Sequence, residues 1–261
     1  MKVLFLGYGK MGSALGEAWL NTGLVEEVTA YDPGAPSGMQ ALIASDLSQL
    51  PSHGFDLVIV AVKPNMAAQA ISALPASALQ GAILLSVMAG VTSATLKSAS
   101  GGAIPVVRAM PNTPVMVNAG CTGLYTDSDI GQRRHDLTRL FEAVGIACWV
   151  AEEEQLHAVT AISGSGPAYY HLFSESLADA GAAMGLPEEL AKRLAGHTAL
   201  GAAKLQCQPD ASFEALRKAV TSPNGTTAAA IDIFEKQSSL RELVKTAAEA
   251  ARQRSVELSQ D

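Results

Sequence analysis

The segment Gly7-Tyr8-Gly9-Lys10-Met11-Gly12 has the spacing G-x-G-x-x-G. Glycines so spaced suit the pyrophosphate of a dinucleotide when a strand precedes them and a helix follows. Gly7 permits the tight turn, Gly9 lets the backbone approach the phosphates, and Gly12 lets helix and strand pack closely. Free amides and the positive end of the helix then hold the anion. Asp32 lies twenty residues after Gly12. At the end of a second strand it can accept hydrogen bonds from the adenosine ribose hydroxyls, or it can form the turn before Pro33-Gly34. Pro33 to Gly38 include no Arg or Lys to pair with a 2′-phosphate, so NADH should be accepted at least as well as NADPH. Lys63-Pro64-Asn65 follows a third apolar run. Strand C-termini in such sheets face the ligand crevice, which makes Lys63 and Asn65 candidate cofactor contacts. A solvated lysine beside a loop proline is the plainer alternative.

A second candidate lies far downstream. Ser222-Pro223-Asn224-Gly225-Thr226-Thr227 is a small polar turn running into an apolar helix expected to start near Ala228. Its amides and hydroxyls, with the helix N-terminus, suit a carboxylate. It also reads as a plain capping turn, and the two roles are compatible. Ser163-Gly164-Ser165-Gly166-Pro167 interrupts a helical stretch. Two glycines and a proline there disfavour helix. Backbone approaching a cofactor ring or substrate would explain them, and so would a kink made for packing.

The elements that must hold these residues divide the chain near Ala151. Before it, apolar bursts at Val3 to Leu6, Val28 to Tyr31, Leu57 to Val62, Ile83 to Val87 and Val106 to Ala109 alternate with helical stretches such as Met11 to Leu20 and Met66 to Leu74. Continuous Val/Ile/Leu runs are typical of parallel strands buried on both faces. Two later bursts, Gly123 to Thr126 and Ala147 to Val150, could add edge strands. The pattern predicts an α/β fold, with an N-terminal Rossmann-type doubly wound sheet over residues 1–151. Residues 152–261 carry only helical patterns, apolar enough to need covering by a second subunit.

Composition narrows the partners. The 261 residues are 48% hydrophobic and 16% charged, which is globular rather than disordered, and the net charge of −7 disfavours nucleic acid and anionic membrane surfaces. Cys121, Cys148 and Cys207 are odd in number and lack a C-x-x-C pair, as expected in a reducing cytosol. The histidines form no metal-ligand pair at i, i+3 or i+4. The N-terminal apolar run stops at Gly7, and no run approaches the roughly 20 residues of a membrane span. A cytoplasmic protein without a metal is expected.

Four segments, in order, carry a resemblance. They are Val60-Ala61-Val62-Lys63-Pro64, Arg108-Ala109-Met110-Pro111-Asn112-Thr113-Pro114, Thr160-Ala161-Ile162-Ser163-Gly164-Ser165-Gly166-Pro167-Ala168-Tyr169, and Val220-Thr221-Ser222-Pro223-Asn224-Gly225-Thr226-Thr227. The whole chain resembles the pyrroline-5-carboxylate reductase family. The resemblance implies reduction of 1-pyrroline-5-carboxylate to L-proline, the last step of proline biosynthesis, with NADPH or NADH. It implies an all-helical dimerisation domain, with dimers often assembled into decamers. The family usually has Ser-Pro-Gly-Gly where this chain has Asn224 in place of the first glycine, and Asn tolerates left-handed backbone.

Site roles follow from the same resemblance. Ser222, Asn224, Gly225, Thr226 and Thr227 would hold the substrate carboxylate, and no single Arg or Lys of the helical region stands out as its partner. Thr160 would stand near the ring nitrogen as the catalytic hydroxyl, or would simply bond to its own helix. Gly7, Gly9, Lys10, Met11 and Gly12, together with Asp32, would bind the cofactor. Ala61, Val62, Lys63, Pro64 and Asn65 would join them after the third strand. Pro111 and Asn112 would complete the set, with Asn112 on the nicotinamide carboxamide or capping a turn. Two other reductase chemistries lack their proton donors: no Tyr is followed by Lys four residues on, and no Lys occurs between Lys97 and Lys192. A non-catalytic dinucleotide sensor on the same fold would have no use for the Ser222 to Thr227 loop.

Overall fold

The structure, a computed structural model, describes residues 1–35, 38–51, 53–102 and 104–260. Pro36 and Ser37, part of the segment expected to lack a phosphate partner, lie outside the described residues. Among the described residues, eight strands form one sheet: β1 (Lys2–Leu6), β2 (Glu27–Tyr31), β3 (Leu42–Ala44), β4 (Leu57–Val60), β5 (Ile83–Ser86), β6 (Val106–Met110), β7 (Gly120–Tyr125) and β8 (Gly145–Trp149). Their spatial order is β3-β2-β1-β4-β5-β6-β7-β8. Only the β6–β7 pairing is antiparallel. The order reverses at β1, and the crevice of a doubly wound sheet lies at such a switch point.

Five expected strands are present, one expectation changes, and one strand is additional to those expected. β7 is interior, between β6 and β8, so only β8 is an edge on that side. The opposite edge is β3, three residues long with Leu42 exposed, too short and too polar in its surroundings to stand out as an apolar burst.

Helices α1 (Lys10–Asn21), α2 (Ala67–Ser72), α3 (Ala76–Leu79), α4 (Ser93–Ala99) and α5 (Arg133–Glu142) flank the sheet. The pleat of β1 sends Val3 and Phe5 into one apolar cluster and Leu4 and Leu6 into another. Trp19 of α1 anchors the first cluster. Its ring meets Phe141 edge-on at 5.6 Å, and its Nε1 donates to the Leu140 carbonyl at 2.7 Å.

After β8 come α6 (Gln155–Val159), a π-helical turn (Thr160–Gly164), α7 (Gly166–Ala183), α8 (Glu188–Gln206), α9 (Phe213–Ala219), α10 (Thr226–Glu235) and α11 (Ser239–Glu257). The chain forms two compact units, Met1–Ser165 with Ala251–Asp261, and Gly166–Ala250. Within the second, α7 and α8 meet through small residues: a Cβ on Gly181 would lie 3.2 Å from that of Ala191. Ala178 and Ala195 are buried with them, while Leu172, Met184, Leu194, Phe213, Ile233 and Leu243 remain exposed. Apolar side chains left uncovered on this scale mark an association surface. Among the described residues, no helix is long and apolar enough to cross a membrane.

Candidate functional site

The glycine turn lies between β1 and α1, beside the end of β4. Gly7 has φ +89°, and a Cβ there would approach the Ala61 carbonyl oxygen to 2.7 Å. A side chain is excluded on both counts. The turn and the segment after β4 are thereby brought together, with Val62 Cγ1 3.1 Å from the same point. A Cβ on Gly12 would meet the Gly7 carbonyl at 2.6 Å, whereas above Gly9 no atom lies within 4 Å. The first helical bond of α1 runs from the Ser13 amide to the Gly9 carbonyl at 2.9 Å. The amides of Lys10, Met11 and Gly12 precede it and have no place in the helical ladder. Open space over Gly9 and these first-turn amides fit a pyrophosphate.

Asp32 forms the turn considered for it and also braces the glycine turn. Its Oδ1 accepts from the Gly34 amide at 2.8 Å, closing the turn, and its Oδ2 accepts from the Tyr8 amide at 2.7 Å, bracing the glycine turn. Lys63, Pro64 and Asn65 are exposed at the end of β4, where Pro64–Met66 makes a short 3₁₀ turn.

The loop after β6 meets the π-turn. Pro111 and Asn112 are buried. The Asn112 amide nitrogen donates to the Ser163 carbonyl at 2.9 Å, and its oxygen accepts from the Cys121 amide at 2.8 Å. Both ends of the side chain are therefore engaged within the protein, leaving one amide hydrogen for a ligand. The Thr160 hydroxyl donates to the Leu156 carbonyl at 2.8 Å, one turn back on its own helix. Its hydrogen is committed there and its lone pairs are not. The expected helix break at Ser163 to Pro167 is a register change. The Ser165 amide bonds to the Thr160 carbonyl five residues earlier at 2.8 Å, and Pro167 sits in the first turn of α7, where its missing N–H removes no helical bond. A Cβ on Gly164 would meet Met110 Cε at 2.7 Å, so the turn lies close against the end of β6.

Beneath this loop, Arg108 of β6 is 5% exposed and its Nη1 donates to Glu153 Oε1 at 2.8 Å. Glu153 also accepts the Ser93 amide at 2.7 Å, at the head of α4. Burial would raise the Glu153 carboxyl, but the Ser93 amide and the Arg108 guanidinium outweigh it and hold it below the usual carboxylate range. His157 of α6 is 5% exposed, with Nδ1 2.9 Å from Ser255 Oγ near the end of α11.

In the second unit, α10 begins at Thr226, two residues earlier than expected. Thr226 and Thr227 therefore occupy its first turn, since the first helical bond runs from the Ala229 amide to the Gly225 carbonyl at 3.2 Å. Asn224 adopts φ +58°, the left-handed backbone that its type tolerates. A Cβ on Gly225 would collide with the Ser222 side chain. The loop so formed presents backbone amides and hydroxyls at a helix N-terminus. Arg217 and Arg241 both bind Glu235, at 3.4 Å for Arg217 and 2.7 Å for Arg241 Nε, so neither is an uncommitted cation.

Residues 153–258 match the family model described as pyrroline-5-carboxylate reductase dimerisation, and residues 2–90 match one described as NADP oxidoreductase, coenzyme F420-dependent. A pyrroline-5-carboxylate reductase of Pseudomonas aeruginosa is 37% identical over 99% of this chain and 97% of its own. The chain belongs to the pyrroline-5-carboxylate reductase family. The fold agrees. The Coxiella burnetii pyrroline-5-carboxylate reductase superposes with a TM-score of 0.89 at 33% identity, covering 98% of both chains. The Plasmodium falciparum enzyme, solved with NADP bound, superposes with a TM-score of 0.86 at 30% identity, covering 99% of this chain and 98% of its own.

For a member of this family, the residues that sequence reasoning passed over are the supports. Tyr8 occupies a variable position between the motif glycines, yet its ring is fully buried and its hydroxyl donates to Glu17 Oε1 at 3.0 Å. Burial pushes the phenol up, and the Glu17 bond and charge push it further, so it remains a donor. Glycine at position 16, one turn below the motif, was an available signal, since a Cβ there would strike the Tyr8 ring.

Proposed function

We infer that this chain reduces 1-pyrroline-5-carboxylate to L-proline with NADH or NADPH, the closing step of proline biosynthesis. The observation that carries the reading is family membership along essentially the whole chain, with the glycine cradle and the Ser222 to Thr227 turn both intact. The dihydronicotinamide supplies the hydride, and the protein supplies position and charge complementarity.

Gly7, Gly9, Lys10, Met11 and Gly12 hold the pyrophosphate through amides, and Asp32 reads the adenosine ribose. Ala61, Val62, Lys63, Pro64 and Asn65 border the cofactor at the end of β4. Pro111 and Asn112 border its nicotinamide end, where Asn112 keeps one amide hydrogen for the carboxamide. Ser222, Asn224, Gly225, Thr226 and Thr227 bind the substrate carboxylate by charge-assisted hydrogen bonds in place of an ion pair. Thr160 acts by accepting. Because its hydrogen lies on the Leu156 carbonyl, its oxygen offers a lone pair to the N–H of the protonated imine, the form that is most readily reduced. The proton thus arrives with the substrate or from water.

Residues 1–151 serve as the dinucleotide-binding domain and residues 152–261 as the dimerisation and substrate-binding domain of a cytoplasmic homodimer, or of a decamer built from such dimers. The exposed leucines, Phe213 and Met184 of the helical unit supply the apolar surface for that association. Loss of NADH absorbance on addition of pyrroline-5-carboxylate, with proline recovered in equal amount, tests the activity. A cofactor that stays reduced would overturn it.

A further inference from the structure

Tyr8 is held at two atoms by two carboxylates. Its amide donates to Asp32, and its buried hydroxyl donates to Glu17 of α1. Glu17 is half-buried and accepts twice more: Oε2 takes the Gln40 amide at 3.0 Å, and Oε1 takes the Ala41 amide at 3.3 Å. The segment that leaves the sheet at Asp32 is therefore tied directly to Tyr8 at its start, and at Gln40 and Ala41 it is tied to Tyr8 through Glu17. Gln40 adds a strut to α1, its Nε2 donating to Asn21 Oδ1 at 2.8 Å. None of these groups touches phosphate in the reading above, yet they determine where the Asp32 carboxylate stands.

That placement has a consequence for the cofactor. A carboxylate facing the adenosine ribose accepts from a free 2′-hydroxyl and repels a 2′-phosphate. Both effects fall off steeply with distance and angle, so discrimination is only as sharp as the carboxylate is fixed. Asp32 begins a turn, and the next strand among the described residues starts at Leu42. Without an anchor at Gln40 and Ala41, the turn could shift and carry Asp32 with it.

We propose that Tyr8 and Glu17 form a positioning pair that sets the preference for NADH over NADPH by fixing Asp32 and the turn it opens. The proposal rests on the dinucleotide-site reading. It makes Tyr8 more than a spacer within G-x-G-x-x-G, and it explains Gly16, since α1 must give way to the Tyr8 ring at that point.

The test uses the full-length protein and two variants. Tyr8→Phe keeps the buried ring and removes only the hydroxyl. Glu17→Gln keeps the shape but cannot accept from three donors with one oxygen. Direct binding of NADH and NADPH, followed by nucleotide fluorescence without imine, should show the NADH Kd raised roughly fivefold to twentyfold in each variant, with the NADPH Kd changed less than about twofold. Asp32→Ser, which removes the charge itself, should shift the ratio the same way and further. The double variant should lose little beyond Glu17→Gln, the non-additivity of residues acting as one unit. In turnover, the change should enter through the KM for NADH and not through kcat. Equal weakening of both nucleotides would reduce the pair to general support of the fold, and an unchanged ratio would remove it altogether. Turnover by the wild type judges the reductase reading separately: a protein that binds NADH but leaves pyrroline-5-carboxylate unreduced overturns that reading, and the binding ratio still decides this one.

Discussion

The side-chain amide of Asn112 donates to the carbonyl of Ser163 across 2.9 Å, and this bond fastens the loop after β6 to the π-helical turn. The turn carries Thr160, so the loop and the candidate catalytic hydroxyl share one support. Asn112→Asp preserves the shape but turns an acceptor toward an acceptor. Ser163 is half-buried, and a carbonyl there left without its donor costs up to about 1–3 kcal/mol. Urea unfolding should report a loss of that size, together with a lower kcat for imine reduction. An Asp variant as stable and active as the parent would make the bridge incidental.

The Ser222 to Thr227 turn makes a different demand. If amides and hydroxyls replace an arginine as the carboxylate partner, each matters. Thr227→Val keeps the volume and deletes one donor, and kcat/KM for pyrroline-5-carboxylate should fall roughly tenfold to a hundredfold. Affinity for NADH should hardly change. A variant that instead binds NADH weakly and handles the imine normally would reassign the loop.

Assembly follows from burial. The helical unit buries small residues such as Ala178, Gly181, Ala191 and Ala195 while its large apolar side chains stay exposed. Light scattering at micromolar concentration should therefore find a dimer or a multiple of it. Leu172→Glu combined with Ile233→Glu should shift the mass downward. A wild-type chain that scatters as a stable monomer would contradict the inference.

Acid should loosen the first unit before it titrates most carboxylates. Burial holds His157 below the ordinary histidine range, Glu154 opposes the shift, and Arg108 and Arg252 reinforce it. A base with a depressed folded pKa takes its proton more readily in the unfolded chain. Stability is then level above the unfolded value of about 6.5 and declines as pH falls through it toward the folded pKa. Glu153, held low in the folded chain, adds a further decline below about pH 4.3. Urea midpoints should drop as pH falls below about 6.5, and His157→Asn should flatten that slope. A wild-type midpoint constant over this range would mean that His157 titrates normally.

The frame was legible in the chain because its signals are local. Continuous apolar runs such as Leu57 to Val60 specify buried parallel strands, and glycines at 7, 9 and 12 specify a turn in any context that can use them. The left-handed backbone at Asn224 was legible for the same reason, since backbone preference belongs to the residue. Strand β3 was not, because three residues carry no period. Its existence depends on β2 offering an edge to pair with.

What folding alone decided are the pairings between residues far apart in sequence. Nothing around Tyr8 announces that Glu17 and Asp32 converge on it or that Gln40 and Ala41 meet the same Glu17, and nothing around Asn112 announces Ser163 fifty-one residues later. A polar side chain in a sequence has an unlimited choice of partners. Burial removes water from that choice and leaves only what the packed chain brings within about 3 Å. The sequence therefore determined which chemistry the chain could hold. The tertiary structure decided which hydroxyls and amides remain available for it: Thr160 as an acceptor, Asn112 with one hydrogen, and Asp32 already bound to the turn it serves.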